Sequence, residues 1–238
     1  MIFIFLIQSI VKFQIFYPLP YISTYKLPVL FNLPPQVLII LAFCLIFALT
    51  FHEFGHAYVA HLCGDDTAKK DGRMTLNPIV HLDMFGSLML FLVGFGYARP
   101  VPVNPRHFRI RNADFYIAFA GPLMNLLLGI GASFLFRLLA WNNFTQLAGV
   151  PLLEIIYLFI LINFNLFLFN LIPLGPLDGH SVLPHFLPRD LKRRFQNWNY
   201  RFGSHTLIIL VLLSIFLPKF SAFSWISNLS KRMISGLL

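Results

Sequence analysis

The sequence predicts an all-α polytopic membrane protein with four to six transmembrane helices and a re-entrant segment between the first well-defined span and the next. Of 238 residues, 58% are hydrophobic and 11% charged, with a mean hydropathy of +0.74. That is far too apolar for an ordinary water-soluble domain. Several runs reach the roughly 20 residues needed to cross about 30 Å of hydrocarbon, and the charges gather between them. Disorder and coiled coil are excluded, and two cysteines, Cys44 and Cys63, cannot frame a disulfide scaffold. A net charge of +9 would speak for nucleic acid in a polar chain. Here the Lys and Arg residues lie in the gaps between apolar runs, as topology determinants facing anionic lipid do, and no nucleic-acid partner is expected.

Four runs qualify as spans: Gln36–Leu62, Asp114–Ala140, Pro151–Ile172 and His205–Phe223, the last interrupted by Pro218. Met1–Phe16 reads as a retained anchor rather than a secretory signal, since it lacks a basic start and a small-residue cleavage site. The proline-rich stretch after it, to Pro35, reads as an interfacial linker. Met84–Tyr97 is short of a full crossing at about 1.5 Å per residue, so it is expected to enter and leave on one side. Its flanks agree: Lys69, Lys70 and Arg73 precede it, and Arg99, Arg106, Arg109 and Arg111 follow. Both clusters satisfy the positive-inside rule together with Arg189, Lys192, Arg193, Arg194 and Arg201, whereas Trp141–Val150 carries no Lys or Arg and goes outside. Three units result: an N-terminal anchor and linker over 1–35, a membrane core over 36–217 and a C-terminal tail over 218–238.

Near the inner end of the first clear span stands His52-Glu53-Phe54-Gly55-His56. Two imidazoles four residues apart on a helix project from nearly one face and can hold one zinc ion, with Glu53 next door placed to serve as a general base. Three ionisable groups inside a membrane helix cost about 2.5–3.5 kcal/mol each on insertion scales unless paired or solvated, which argues against a merely structural role.

A catalytic zinc commonly takes a third protein ligand. A soluble-protease pattern would need His at position 62, which is Leu62, and His61 points to another face. Glu154, the only other Glu, opens a helix on the outer side. Asp178 remains, in Asn170-Leu-Ile-Pro-Leu-Gly-Pro-Leu-Asp178-Gly179, at the inner end of the third clear span. If Met84–Tyr97 does not cross, both spans descend in the same sense, and His52, His56 and Asp178 end at one depth. Pro173, Gly175 and Pro176 interrupt the helix there, so that backbone and carboxylate can turn toward a polar cavity.

These residues resemble the site-2 protease family of intramembrane zinc metalloproteases, peptidase family M50, in its short bacterial form without an inserted PDZ domain. The resemblance covers about Gln36 to Leu217. It rests on HEFGH at His52–His56, NPIVH at Asn77–His81 followed by Asp83 and Gly86, RPVPVNPR at Arg99–Arg106, GPLMN at Gly121–Asn125 and the N-x-x-P-x-x-x-L-D-G run at Asn170–Gly179. It implies His52, His56 and Asp178 as Zn2+ ligands, Glu53 as the catalytic acid/base, and Asn165 and Asn170 as groups holding an unwound substrate backbone. It likens the stretch between HEFGH and GPLMN to a membrane-embedded β-loop. It further implies hydrolysis within or next to transmembrane helices of membrane-protein substrates, from a bacterial inner membrane, with the site toward the cytoplasm. The chain departs from the pattern at His180, where Gly is common, and over residues 1–35. The competing reading is a non-enzymatic membrane metal-binding protein or metal transporter. It expects polar groups spread through the membrane, whereas here they gather toward one face.

Overall fold

The computed structural model describes residues 35–86, 98–147, 150–217 and 222–238. The anchor expected over Met1–Phe16 and most of Met84–Tyr97 lie outside the described residues. Three helices among those described are long and apolar enough to cross a membrane: α1 (Pro35–Leu62), α3 (Ala113–Trp141) and α4 (Leu152–Asn170). They fall within one or two residues of the runs expected for them.

The remaining elements are short. Helix α2 (Thr67–Lys70) follows α1, and a two-residue hairpin pairs β1 (Gln146–Leu147) with β2 (Val150–Pro151) between α3 and α4. After α4 come α5 (Gly179–Val182), α6 (Arg189–Trp198), α7 (Ser204–Phe216) and α8 (Ser224–Leu237). The run expected as a fourth span, His205–Phe223, holds α7, whose 13 residues extend about 20 Å. Pro218 accounts for the stop, since it disfavours helical backbone before it and cannot donate within a helix. The stretch expected as a tail contains α8, which packs Ile226, Ser230 and Ile234 against the bundle.

Helices α1, α3 and α4 run alternately down, up and down; Ala48 of α1 and Asn163 of α4 both meet Asn125 of α3, so α4 ends short of α1 and the turn after it lies level with His52 and His56. Glycine sets the crossings. A Cβ at Gly55 would come within 2.6 Å of Met124 Cγ and 3.0 Å of Ala120 O, so α1 and α3 meet there almost backbone to backbone. Gly129 of α3 likewise accepts the ring of Phe164 from α4. Outward of these contacts, Leu41, Leu45 and Ala48 of α1 pack on Ile162 and Leu166 of α4. Such small-residue crossings are how helices associate in lipid, where burial from water supplies no drive between apolar surfaces.

Helix α1 ends because Gly64 adopts a left-handed backbone, φ +98°, and Asp65 N–H returns to Ala60 O at 2.9 Å. The chain then caps the end of the bundle where α1 stops and α3 starts. Asp65 is fully buried and accepts from Thr67 N–H (3.0 Å), Thr67 Oγ1 (2.5 Å), Asn104 N–H (2.6 Å) and His107 Nδ1 (3.1 Å). Burial raises the Asp65 carboxyl, but these bonds outweigh it and bring its pKa down to about 2, from 3.8. The sign follows: the tie is at full strength above the ordinary carboxyl value and is lost as pH falls through about 2. The Asn104 amide is therefore expected to keep its hydrogen-exchange protection at pH 5 and lose it near pH 2, after correction for intrinsic rates.

Leu82 pairs antiparallel with Ala98, and Arg99 N–H donates to His81 O at 2.9 Å, so the two ends of segment 83–97 meet. His81, buried, bonds Thr75 O through Nε2 at 2.9 Å and ties this strip together.

Candidate metal centre

His52 and His56 lie ten and six residues before the end of α1, about 15 and 9 Å along its axis, on the face turned to α3. Asp178 arrives on the turn below α4, where Leu174 N–H bonds Ile172 O and Leu177 N–H bonds Leu174 O. Gly179 makes the turn possible, because a Cβ there would strike the Leu171 and Ile172 carbonyls.

The three side chains converge. His52 Nε2 stands 3.1 Å from His56 Nε2 and 3.2 Å from Asp178 Oδ2, and His56 Nε2 stands 3.4 Å from Asp178 Oδ1. They form the one group of three or more metal-ligating side chains found among the described residues. His180 lies outside it, with Nδ1–H donating to Leu177 O at 2.6 Å and Ser181 Oγ 3.2 Å from Nε2.

The hydrogen bonds behind the imidazoles fix which nitrogens face the centre. His56 Nδ1 is 2.6 Å from the Ile117 carbonyl, which can only accept, so that nitrogen carries the proton. His52 Nδ1 is 2.7 Å from Asn125 Oδ1. The Asn125 amide is oriented by Nδ2, which donates to Ala48 O at 3.1 Å and to Asn163 Oδ1 at 3.0 Å, so its oxygen must accept from His52. Both rings therefore present an Nε2 lone pair, two acceptors 3.1 Å apart beside a carboxylate. Asp178 Oδ2 is itself buried with no hydrogen-bond partner.

A cation resolves this repulsion. With bonds of about 2.0–2.1 Å and tetrahedral angles, neighbouring zinc ligands stand about 3.3 Å apart. The observed 3.1, 3.2 and 3.4 Å fit that spacing. Gly121 completes the cradle: a Cβ there would collide with His56 Nε2 and lie 2.6 Å from His52 Nε2. Gly121→Ala is accordingly expected to displace the ligand nitrogens and lower zinc content well below one per chain while helicity by circular dichroism is retained.

Glu53 is buried beside His52. It lies in electrostatic reach of Arg73, a buried guanidinium whose Nη2 donates to Arg99 O at 2.5 Å and whose Nε has no partner. Burial lowers the Arg73 pKa and the Arg99 charge adds to this, while the Glu53 and Asp71 carboxylates act in the opposite sense.

The asparagines divide by face. Asn163, which sequence reasoning did not single out, is fully buried and holds Asn125, while its own Nδ2 donates to Phe159 O at 2.9 Å. Asn170 lies two turns further along α4 on the same face, buried, with Nδ2 donating to Leu166 O at 3.0 Å. Asn165 is about 200° round from Asn163 and meets α8, where its Oδ1 accepts from Ser230 Oγ at 2.8 Å; its buried Nδ2 has no partner. The one available signal for Asn163 was an amide in an apolar run, which does not say what it faces.

Asn163 thus holds the group that holds a ligand. Asn125→Leu and Asn163→Leu are each expected to lower zinc affinity about 10–100-fold in chelator competition, the effect usual for groups orienting a metal ligand. Asn163→Asp, which keeps the acceptor for Asn125, should lose less.

Comparison with known proteins agrees with this geometry. The family model described as Peptidase family M50 matches residues 40–210. A Bacillus subtilis (strain 168) protein named "Putative zinc metalloprotease YwhC" is 42% identical over 183 residues, 75% of this chain and 82% of its own length. Proteins named "Putative zinc metalloprotease Rip2" are 28% identical over 176 residues in Mycolicibacterium smegmatis and 33% over 148 residues in Mycobacterium tuberculosis. These alignments cover 70% and 59% of this chain, and 63% and 55% of those relatives, so the chain spans less than two thirds of the mycobacterial proteins. No solved structure matches. With the family matched over most of its length, the chain belongs to peptidase family M50, as a membrane zinc metalloprotease of the site-2 protease type.

Proposed function

We propose that this metalloprotease hydrolyses peptide bonds within or next to transmembrane helices of membrane-protein substrates, from a site opening toward the cytoplasm of a bacterial inner membrane. The observation that carries the reading is the depth of the two histidines, about 9 and 15 Å inside an apolar helix long enough to span. Lys69, Lys70, Arg106 and Arg109 at the same end of the bundle support the orientation by the positive-inside rule. The meeting of Leu82 with Ala98 supports a segment that returns to the side it left.

Zinc bound by His52, His56 and Asp178 supplies a Lewis acid for the scissile carbonyl and lowers the pKa of water toward 7. Glu53 takes a proton from the attacking water and returns it to the departing amine. The Asn125 carbonyl keeps the His52 proton on Nδ1, so that Nε2 stays a ligand. A substrate helix hides its carbonyls in its own hydrogen bonds and must unwind before attack. Asn170, on the face shared with Asn163, is the group proposed to hold that unwound backbone, whereas Asn165, turned to Ser230 of α8, faces away from the metal side.

The test uses the full chain, zinc-loaded, in liposomes with two reporters that share one cleavable sequence, one inside a transmembrane helix and one in a soluble linker. Cleavage of the membrane-embedded reporter, mapped by mass spectrometry to the helix or its border, is expected. Cleavage of the soluble reporter alone, or zinc movement across the vesicle without cleavage, would contradict the proposal.

A further inference from the structure

Helix α6, Arg189–Trp198, joins the metal-bearing turn to α7 and belongs to none of the hydrophobic clusters. Leu191, Phe195 and Trp198 recur at helical spacing on one face, and Arg189, Arg193 and Gln196 lie opposite. Lys192 borders the apolar face on one side and Arg194, with Asp190 beyond it, on the other. No residue of the helix is buried, with Leu191 52% and Trp198 43% exposed. Its principal contacts are the adjoining segments Leu183–Phe186 and Asn199–Gly203. Beyond its end, Tyr200 is 94% exposed and Phe202 is exposed beside Arg201. Among the described residues, none of the cations from Arg189 to Arg201 pairs with an acidic side chain.

The position of this helix is fixed. Asn199, buried just past its end, accepts from Gly175 N–H at 3.0 Å, and Gly203 packs so closely on Asn199 that a Cβ would strike the amide. His185, ahead of the helix, reaches Asp114 at the start of α3, 3.3 Å away. Both ends are thus tied at the level where α3 begins and α4 has ended, the border of the apolar zone. The chain then enters the apolar α7.

An apolar face with Leu191 and Trp198 exposed and Phe195 partly so, flanked by the unpaired Lys192 and Arg194 at that depth, matches one partner. Acyl chains take up Leu191, Phe195 and Trp198, while Lys192 and Arg194 extend along the apolar boundary to phosphate. We propose that α6 lies in the membrane plane as an interfacial helix that binds anionic phospholipid headgroups.

The test uses the full chain with Trp141→Phe and Trp225→Phe, leaving Trp198 as the sole indole, in phosphatidylcholine vesicles. Thirty per cent of the lipid is brominated on its acyl chains and is either phosphatidylglycerol or phosphatidylcholine. Zinc retention checks the fold, and Leu191→Trp with Trp198→Phe in the same background gives a second reporter. Quenching at least twofold stronger by the brominated anionic lipid is expected, falling to the phosphatidylcholine level with Lys192→Glu and Arg194→Glu combined. Equal quenching by the two lipids would overturn the anionic preference. An indole unquenched by either, as a water-facing or protein-covered helix would give, would overturn the placement. Neither result depends on proteolysis.

Discussion

Glu53→Gln is expected to abolish peptide hydrolysis while leaving zinc in place. The glutamine is nearly isosteric, so the buried site beside His52 keeps its volume, and none of the three convergent ligand atoms is touched. What goes is the carboxylate proposed to take and return a proton, a contribution of about 10²–10⁴ in rate. Zinc stoichiometry by atomic absorption should match the parent chain, and turnover of the embedded reporter should fall by that factor or more. The pairing of outcomes separates a proton-transfer role from a structural one, since a collapsed site would lose metal as well.

Asp178→Asn removes charge without removing size, and the consequence runs through the metal. In the parent chain, two Nε2 lone pairs and a carboxylate face each other at 3.1–3.4 Å, an arrangement tolerable only around a cation. An amide oxygen is a poorer zinc ligand than a carboxylate, and its NH2 group can instead donate to the histidine nitrogens. Zinc affinity is expected to fall by more than the roughly 10–100-fold seen when groups behind a ligand are removed, with activity lost in parallel. Added zinc should raise the melting temperature of the parent and of Glu53→Gln, because it binds the folded state, and should leave Asp178→Asn unshifted.

Much of this was legible in the sequence because the membrane narrows the choices. Apolar length alone marks α1, α3 and α4, and the four-residue spacing of His52 and His56 puts both on one face wherever the helix goes. Asp178 was reachable because orientation narrows the choice: spans descending in the same sense have their ends on one side, and few carboxylates compete.

Other features depend on which faces meet, and hydropathy is silent about that. Asn163 and Asn165 look alike in an apolar run, yet one supports Asn125 and the other meets Ser230. The tail beyond Pro218 has too little continuous apolar character to read as a span, but Ile226, Ser230 and Ile234 make a stripe that closes against α4 and its neighbours. The run His205–Phe223 is apolar throughout, and its helix stops at Phe216 because of backbone chemistry rather than hydropathy.

X-ray absorption at the zinc edge of the purified full-length chain asks directly what surrounds the metal. One zinc per chain with nitrogen and oxygen neighbours only, at about 2.0–2.1 Å, including the outer-shell pattern of two imidazoles, is the predicted result. The Asp178→Asn chain reloaded with zinc should lose that pattern. A sulfur shell at about 2.3 Å, which would bring in Cys44 or Cys63, or an unchanged spectrum in Asp178→Asn, would contradict the account.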